Sequence, residues 1–94
     1  MDNPRIDEYG NKFWYDSDSD DNLHRTDGPA AILADGYKSW YQHGLRHRAN
    51  GPAIEWKDGR TSWWLNDQRL TFDEWLDKLD ISDEAKVMMK LKYG

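Results

Sequence analysis

Three histidines and a run of aspartates are the residues here whose types and spacing could do chemistry. His24-Arg25 and His47-Arg48 recur 23 residues apart. An imidazole beside a guanidinium suits an anion pocket at a sheet edge, and that is one candidate role for His24, Arg25, His47 and Arg48. Metal binding would require carboxylate or imidazole partners converging from other strands. His43 stands in a turn, and sequence spacing gives it no such partner. Two His-Arg pairs at equivalent positions favour an architectural role instead, as turn hydrogen bonds or stacking on a neighbouring aromatic. Asp16-x-Asp18-x-Asp20 has the spacing of a calcium loop, and Asp27 falls at its twelfth position. Its sixth position is Asp21, where such a loop needs glycine. The segment from Asp16 to Asn22 therefore reads as a solvated acidic loop that binds no calcium. There is no Ser/His/Asp motif, no phosphate-cradling glycine loop and no HExxH. Cysteine is absent, which removes disulfides, zinc thiolates and thiol nucleophiles. The expectation is no enzyme, no cofactor and no metal.

The elements that position these residues are written in an internal repeat. His24 to Arg46 reads HRTDGPAAILADGYKSWYQHGLR, and His47 to Arg69 reads HRANGPAIEWKDGRTSWWLNDQR. The period of 23 residues aligns Gly28-Pro29-Ala30 with Gly51-Pro52-Ala53, Asp35-Gly36 with Asp58-Gly59, and Trp40 with Trp63. A partial copy precedes them: Tyr9-Gly10-Asn11-Lys12-Phe13-Trp14-Tyr15 parallels Asp35 to Tyr41. Each unit reads as a hairpin around an Asp-Gly turn, with Gly-Pro opening the incoming strand, where proline is tolerated. A two-residue turn at Asp35-Gly36 pairs Ile32 with Ser39 and Ala31 with Trp40; one at Asp58-Gly59 pairs Ile54 with Trp63. The expected product is an antiparallel meander of six or seven short strands. Alternation places Trp14, Ala31, Leu33, Trp40, Ile54, Trp56, Trp63 and Leu65 on a core face. Phe13, Tyr15, Ile32, Tyr37, Tyr41 and Trp64 fall on the other face, mixed with Ser39, Ser62, Glu55, Lys57 and Arg60.

After Leu70 the period changes. Thr71-Phe72-Asp73-Glu74 is a capping box. Phe72, Trp75, Leu76 and Leu79 then form one helical stripe. Ser82 caps a second helix whose stripe reads Val87, Met88 and Leu91. The simplest packing lays both helices on the Trp14/Trp40/Trp63 face. The fold class is therefore α+β, one domain over residues 1–94, with a repeat sheet over about 9–70 and a helical cap over 71–93.

Composition narrows the partners. With 13 basic and 18 acidic residues the net charge is −5, which argues against duplex DNA and anionic membranes. No apolar run reaches the ~18 residues of a membrane span, and Met-Asp-Asn-Pro-Arg is no signal peptide, so the expected location is cytoplasmic. Arg46, Arg48, Arg60 and Arg69 beside aromatics offer single-stranded nucleic acid some contacts, but total charge and the acidic segment oppose it. Residues 16–27 carry a local charge of −4 and residues 28–70 carry +2, a polarity that steers association with a charged partner.

HRxxGPA followed by DGxxxWYxxGxRHR at this period resembles the MORN-type repeats, closest to the divergent branch of bacteria and their phages labelled YwqK-like antitoxins. The resemblance covers about Tyr9 to Leu70. It implies a scaffold or interaction module rather than a catalyst. Pro-Ala stands where MORN repeats are usually glycine-rich, so their lipid binding is not implied. The resulting expectation is a small phage-type protein-binding module, acting stoichiometrically as an inhibitor or antitoxin-like partner of a host or defence protein. Its contact residues would be Tyr15, Tyr37, Tyr41 and Trp64, rimmed by Asp16, Asp18, Asp20 and Asp21. Two alternatives stand beside it: a small-ligand or nucleotide-sequestering protein using the His/Arg pocket, and a structural homo-oligomer that buries the aromatic face.

Overall fold

The computed structural model describes residues 3–16 and 19–94, the side chains of residues 19–21 excepted. The chain is α+β: eleven short, antiparallel-paired strands followed by two helices. The strands are β1 (Arg5–Ile6), β2 (Lys12–Phe13), β3 (Tyr15–Asp16), β4 (Ser19–Leu23), β5 (Ala31–Ile32), β6 (Lys38–Ser39), β7 (Tyr41–Gln42), β8 (Leu45–Arg46), β9 (Ile54–Glu55), β10 (Thr61–Leu65) and β11 (Gln68–Leu70). The helices are α1 (Phe72–Lys78) and α2 (Asp83–Tyr93).

The sheet is not a simple meander. Its order is β1-β2-β5-β6-β9-β10-β11, with β3–β4 and β7–β8 as separate two-stranded ribbons. The chain leaves the sheet after β2 and after β6, makes a ribbon, and returns. β10 serves both purposes, pairing with β9 through Thr61 and Ser62 and with β11 through Trp63 to Leu65. The acidic segment expected as a loop belongs to the first ribbon: Asp16 ends β3 and Ser19–Leu23 forms β4, with a register irregularity between Tyr15 and Asp16.

The hairpin turns are one residue longer than the Asp-Gly dipeptides suggest. Leu33 N–H donates to Tyr37 O (2.9 Å) and Trp56 N–H to Arg60 O (2.9 Å), and Asp7 N–H likewise donates to Asn11 O (3.1 Å). Each enclosed loop has three residues and ends on a glycine at positive φ: Gly10 at 85°, Gly36 at 100° and Gly59 at 90°. This is the type I turn followed by a left-handed residue, the next commonest hairpin after the two-residue form. The added residue moves every pair by one. Ala31 faces Ser39 and Ile32 faces Lys38; Ile54 faces Ser62 and Glu55 faces Thr61. A one-residue slip exchanges the faces of a strand. One cross-strand row therefore runs Phe13, Ala31, Ser39, Ile54, Ser62. Ser39 and Ser62, expected on the mixed face, are only 1% and 3% exposed. Both hydroxyls are hydrogen-bonded, by Arg46 Nε at 3.3 Å and Trp64 Nε1 at 2.8 Å, as buried polar groups require.

Both expected caps form. Thr71 Oγ1 accepts from Glu74 N–H (3.1 Å) while Glu74 Oε1 accepts from Thr71 N–H (2.9 Å); Ser82 Oγ accepts from Ala85 N–H (3.1 Å). The helices do not cover the whole tryptophan face. They close only its C-terminal end, where Trp63, Leu70, Trp75, Leu76 and Leu79 form the core cluster, joined by Phe72, Ile81, Met89 and Tyr93. α2 is rotated from the expected stripe: Val87, Met88 and Leu91 are 53%, 63% and 77% exposed. Met89 and Tyr93, one turn apart, pack inward instead, and the Tyr93 ring meets Trp63 edge-on at 5.2 Å. Among the described residues, no helix is long and apolar enough to cross a membrane.

Candidate functional site

The His-Arg pairs are built into the architecture. Arg25 Nη1 donates to Pro29 O (3.2 Å), its Nε to Asp27 Oδ1 (3.0 Å), and its guanidinium lies 4.0 Å over the Trp14 ring. Arg48 repeats this: Nη1 to Pro52 O (3.0 Å), Nε to Asn50 Oδ1 (2.9 Å), 3.9 Å over Trp40, and one more contact, Nη1 to Glu55 Oε2 at 3.1 Å. Each arginine lies close over a glycine. A Cβ on Gly28 would stand 3.0 Å from Arg25 Cζ, and one on Gly51 would stand 2.7 Å from Arg48 Cζ. The x-x between Arg and Gly-Pro thus sets the reach of a side chain folded back over its own turn. The third tryptophan, Trp63, has no arginine over it among the described residues. Trp75 takes that place at 4.5 Å between ring centroids, and its indole N–H donates to Arg48 O (2.8 Å).

The histidines bind the ribbon turns. His24 Nδ1 accepts from His43 N–H and His47 Nδ1 from Asn66 N–H, each at 3.0 Å. His43 and Asn66 are turn residues at φ 51° and 49°, a left-handed conformation to which both types are suited. Burial lowers the pKa of His47, in line with a neutral acceptor ring. Of the four residues of the candidate ligand pocket, Arg25, His47 and Arg48 line one cleft of about 240 Å³. His24 lies outside it, stacked on His43 at 4.2 Å.

That stack belongs to a cluster which sequence spacing did not reveal. His43 Nδ1 lies 2.6 Å from Asp16 Oδ2, and one donor atom each from Asp16, His24 and His43 lies within 4.8 Å of the others. β3, the end of β4 and the β7–β8 turn bring them together. Asp16 is only 8% exposed, so it is not a rim residue. A cation held here would have to break the contact between Asp16 and His43, and would compete with the backbone N–H already on His24 Nδ1. The available sequence signal was a departure from the next unit, where Gln42 stands for Asp16 and Asn66 for His43.

No protein-family model, curated protein or solved structure matches this chain.

The aromatic contact residues divide in two. Tyr15, Tyr41 and Trp64 each follow one of the three covered tryptophans and lie on the two ribbons and on the β10–β11 hairpin, which continues their series. The three are joined by Gly44 N–H to Leu23 O (2.9 Å) and Asp67 N–H to Arg46 O (2.8 Å). Arg46 lies between two of these aromatics, 5.1 Å from the Tyr41 ring and 4.8 Å from Trp64, and Arg5 lies 4.3 Å over Tyr15. Tyr37 is elsewhere. It precedes β6 at a hairpin end and meets Trp56 edge-on at 6.0 Å. Asp18 lies outside the described residues, as do the side chains of Asp20 and Asp21.

Proposed function

We propose that this chain is a MORN-like hairpin-repeat protein that works by occupying a protein partner, stoichiometrically, as an inhibitor or antitoxin-like binder of a host or defence protein. The observation that carries this reading is the row of half-buried Tyr15, Tyr41 and Trp64 interleaved with Arg5 and Arg46. Tyrosine, tryptophan and arginine are the residues in which interface hot spots concentrate. Here the arginines already lie against the rings, which lowers the ordering cost of binding. The competing ligand-pocket reading is less well supported, because Arg25 and Arg48 are committed to proline carbonyls and tryptophan faces.

The test is a titration of a purified candidate partner, first identified by pull-down and mass spectrometry, against parent and variant chains. Tyr41→Ala with Trp64→Ala should weaken binding by about thirtyfold or more per residue, the ~2 kcal/mol of a hot spot. The variant must keep its sheet amide spectrum. Undiminished binding by a folded double variant refutes the reading, and light scattering of the free chain tests the homo-oligomer alternative.

A further inference from the structure

The hairpin ends of β1–β2, β5–β6 and β9–β10 lie side by side, each meeting the next through its glycine. A Cβ on Gly10 would stand 3.9 Å from Ala34 Cβ, and one on Gly36 would stand 3.7 Å from Lys57 Cβ. The two junctions are built alike and closed differently. At the first, the residue after the glycine is Asn11. Its Oδ1 accepts from Ala34 N–H (2.8 Å) and its Nδ2 donates to Asp7 Oδ2 (2.9 Å). At the second, the residue after the glycine is Tyr37, whose ring turns to Trp56. Lys57 N–H, the counterpart of Ala34 N–H, has no hydrogen-bond partner among the described residues. What remains is a cleft of about 510 Å³ walled by Leu33, Tyr37 and Trp56, with Asp35 and Lys57 also lining it. Asp35 Oδ1 accepts from Tyr37 N–H (3.0 Å), while its other oxygen has no partner among the described residues. Asp58 is taken by Arg60, through Nε at 2.8 Å and N–H at 3.1 Å.

We propose that this cleft is a recognition pocket for one carboxamide side chain, asparagine or glutamine, of the protein partner. Its oxygen takes Lys57 N–H as Asn11 takes Ala34 N–H. Its NH₂ donates to the second oxygen of Asp35, whose Oδ1 already accepts from Tyr37 N–H as Asp7 Oδ1 accepts from Asn11 N–H. Its methylenes lie against Tyr37 and Trp56. The polar groups of the cleft select this group over its isosteres. A carboxylate has no N–H to give Asp35, and an aliphatic group leaves Lys57 N–H and Asp35 desolvated without partners. The identity of the partner rests on the protein-binding reading above, whereas the pocket is tested without any partner.

The experiment titrates the ¹⁵N-labelled full chain with N-acetyl-glycyl-asparaginyl-glycine N-methylamide, which has no other primary carboxamide, and with the same peptide carrying leucine or aspartate in the middle. A pocket for one side chain binds in the millimolar range. The asparagine peptide should shift the Lys57 amide saturably, with about tenfold higher affinity than either control. Absence of a saturable shift at Lys57, or a leucine peptide that matches it, overturns the proposal. In parallel, Tyr37→Asn supplies within the chain the acceptor that Asn11 offers Ala34 N–H. It should slow Lys57 amide exchange by about tenfold or more and abolish the peptide shift. Unchanged exchange with peptide binding retained also overturns it. If the Tyr41/Trp64 variant leaves partner binding intact while the asparagine peptide still shifts Lys57, the protein-contact face fails and the pocket is upheld.

Discussion

Removing the Arg48 guanidinium separates an architectural arginine from a ligand-binding one. In the structure its side chain is 17% exposed, lies 3.9 Å over Trp40 and donates at 3.0 Å to the carbonyl of buried Pro52. A desolvated cation–π contact contributes about 1–2 kcal/mol. A hydrogen bond from a charged donor to a buried carbonyl contributes about 1.5 kcal/mol or more. Glu55 is 37% exposed, so that ion pair is screened to about 0.5 kcal/mol. Releasing the arginine rotamers returns about 1–2 kcal/mol of entropy, so Arg48→Ala should cost about 2–3 kcal/mol net. For a chain of this size that is a large share of a stability of about 5–14 kcal/mol. Arg25→Ala should cost about 0.5 kcal/mol less, because Ile32 stands where Glu55 does and Asp27 is 82% exposed. Arg48→Lys should recover less than half of the loss, since an ammonium keeps the charge but not the planar fork. Urea unfolding at 25 °C, followed by tryptophan fluorescence, reads all three. With a slope near ~1 kcal/mol/M the Arg48→Ala midpoint should fall by about 2 M. A midpoint within about 0.5 M of the parent would refute this account and return Arg48 to the ligand pocket.

Trp75→Ala should cost about 3–5 kcal/mol, because Trp75 is fully buried and its removal orphans Arg48 O. Val87→Ala on the outward face of α2 should stay within about 0.5 kcal/mol, and the same urea melts compare the two. His47 supplies a pH dependence. Burial lowers its folded-state pKa below the ordinary 6.5, so the unfolded chain binds the extra proton first. Its contribution is fully present above pH 6.5 and is lost as the pH falls below that value toward the folded pKa. Melts between pH 7.5 and 5.5 should show a steeper loss for the parent than for His47→Gln, and equal slopes would count against the Asn66 contact.

What could be read from residues alone follows how local each determinant is. Thr71-x-x-Glu74 and Ser82 fix helix starts within four residues, and both caps are where the spacing puts them. Asp35-Gly36 and Asp58-Gly59 mark hairpin ends correctly, but the dipeptide is compatible with two-residue and three-residue loops. That single residue decided which face received Ser39 and Ser62. The face of α2 was misjudged because hydropathy ranks Val87 and Leu91 above Tyr93, whereas the edge of the Trp63 ring rewards an aromatic at position 93. Asp16 and His43 are 27 residues apart and meet only because two ribbons lie side by side. The Lys57 vacancy needs a tertiary comparison with Ala34, and no local signal carries it.

The replacement of an arginine by Trp75 over the third covered tryptophan also sets an order in time. Trp14 and Trp40 are covered by Arg25 and Arg48, residues made soon after them. Trp63 waits for Phe72, Trp75 and finally Tyr93. At ~5–20 residues per second, the thirty or so residues from Trp63 to Tyr93 take roughly 2–6 s to synthesise. For that interval the residues that complete the cover of Trp63 do not yet exist, so the C-terminal end of the core is the last part of the fold that can close.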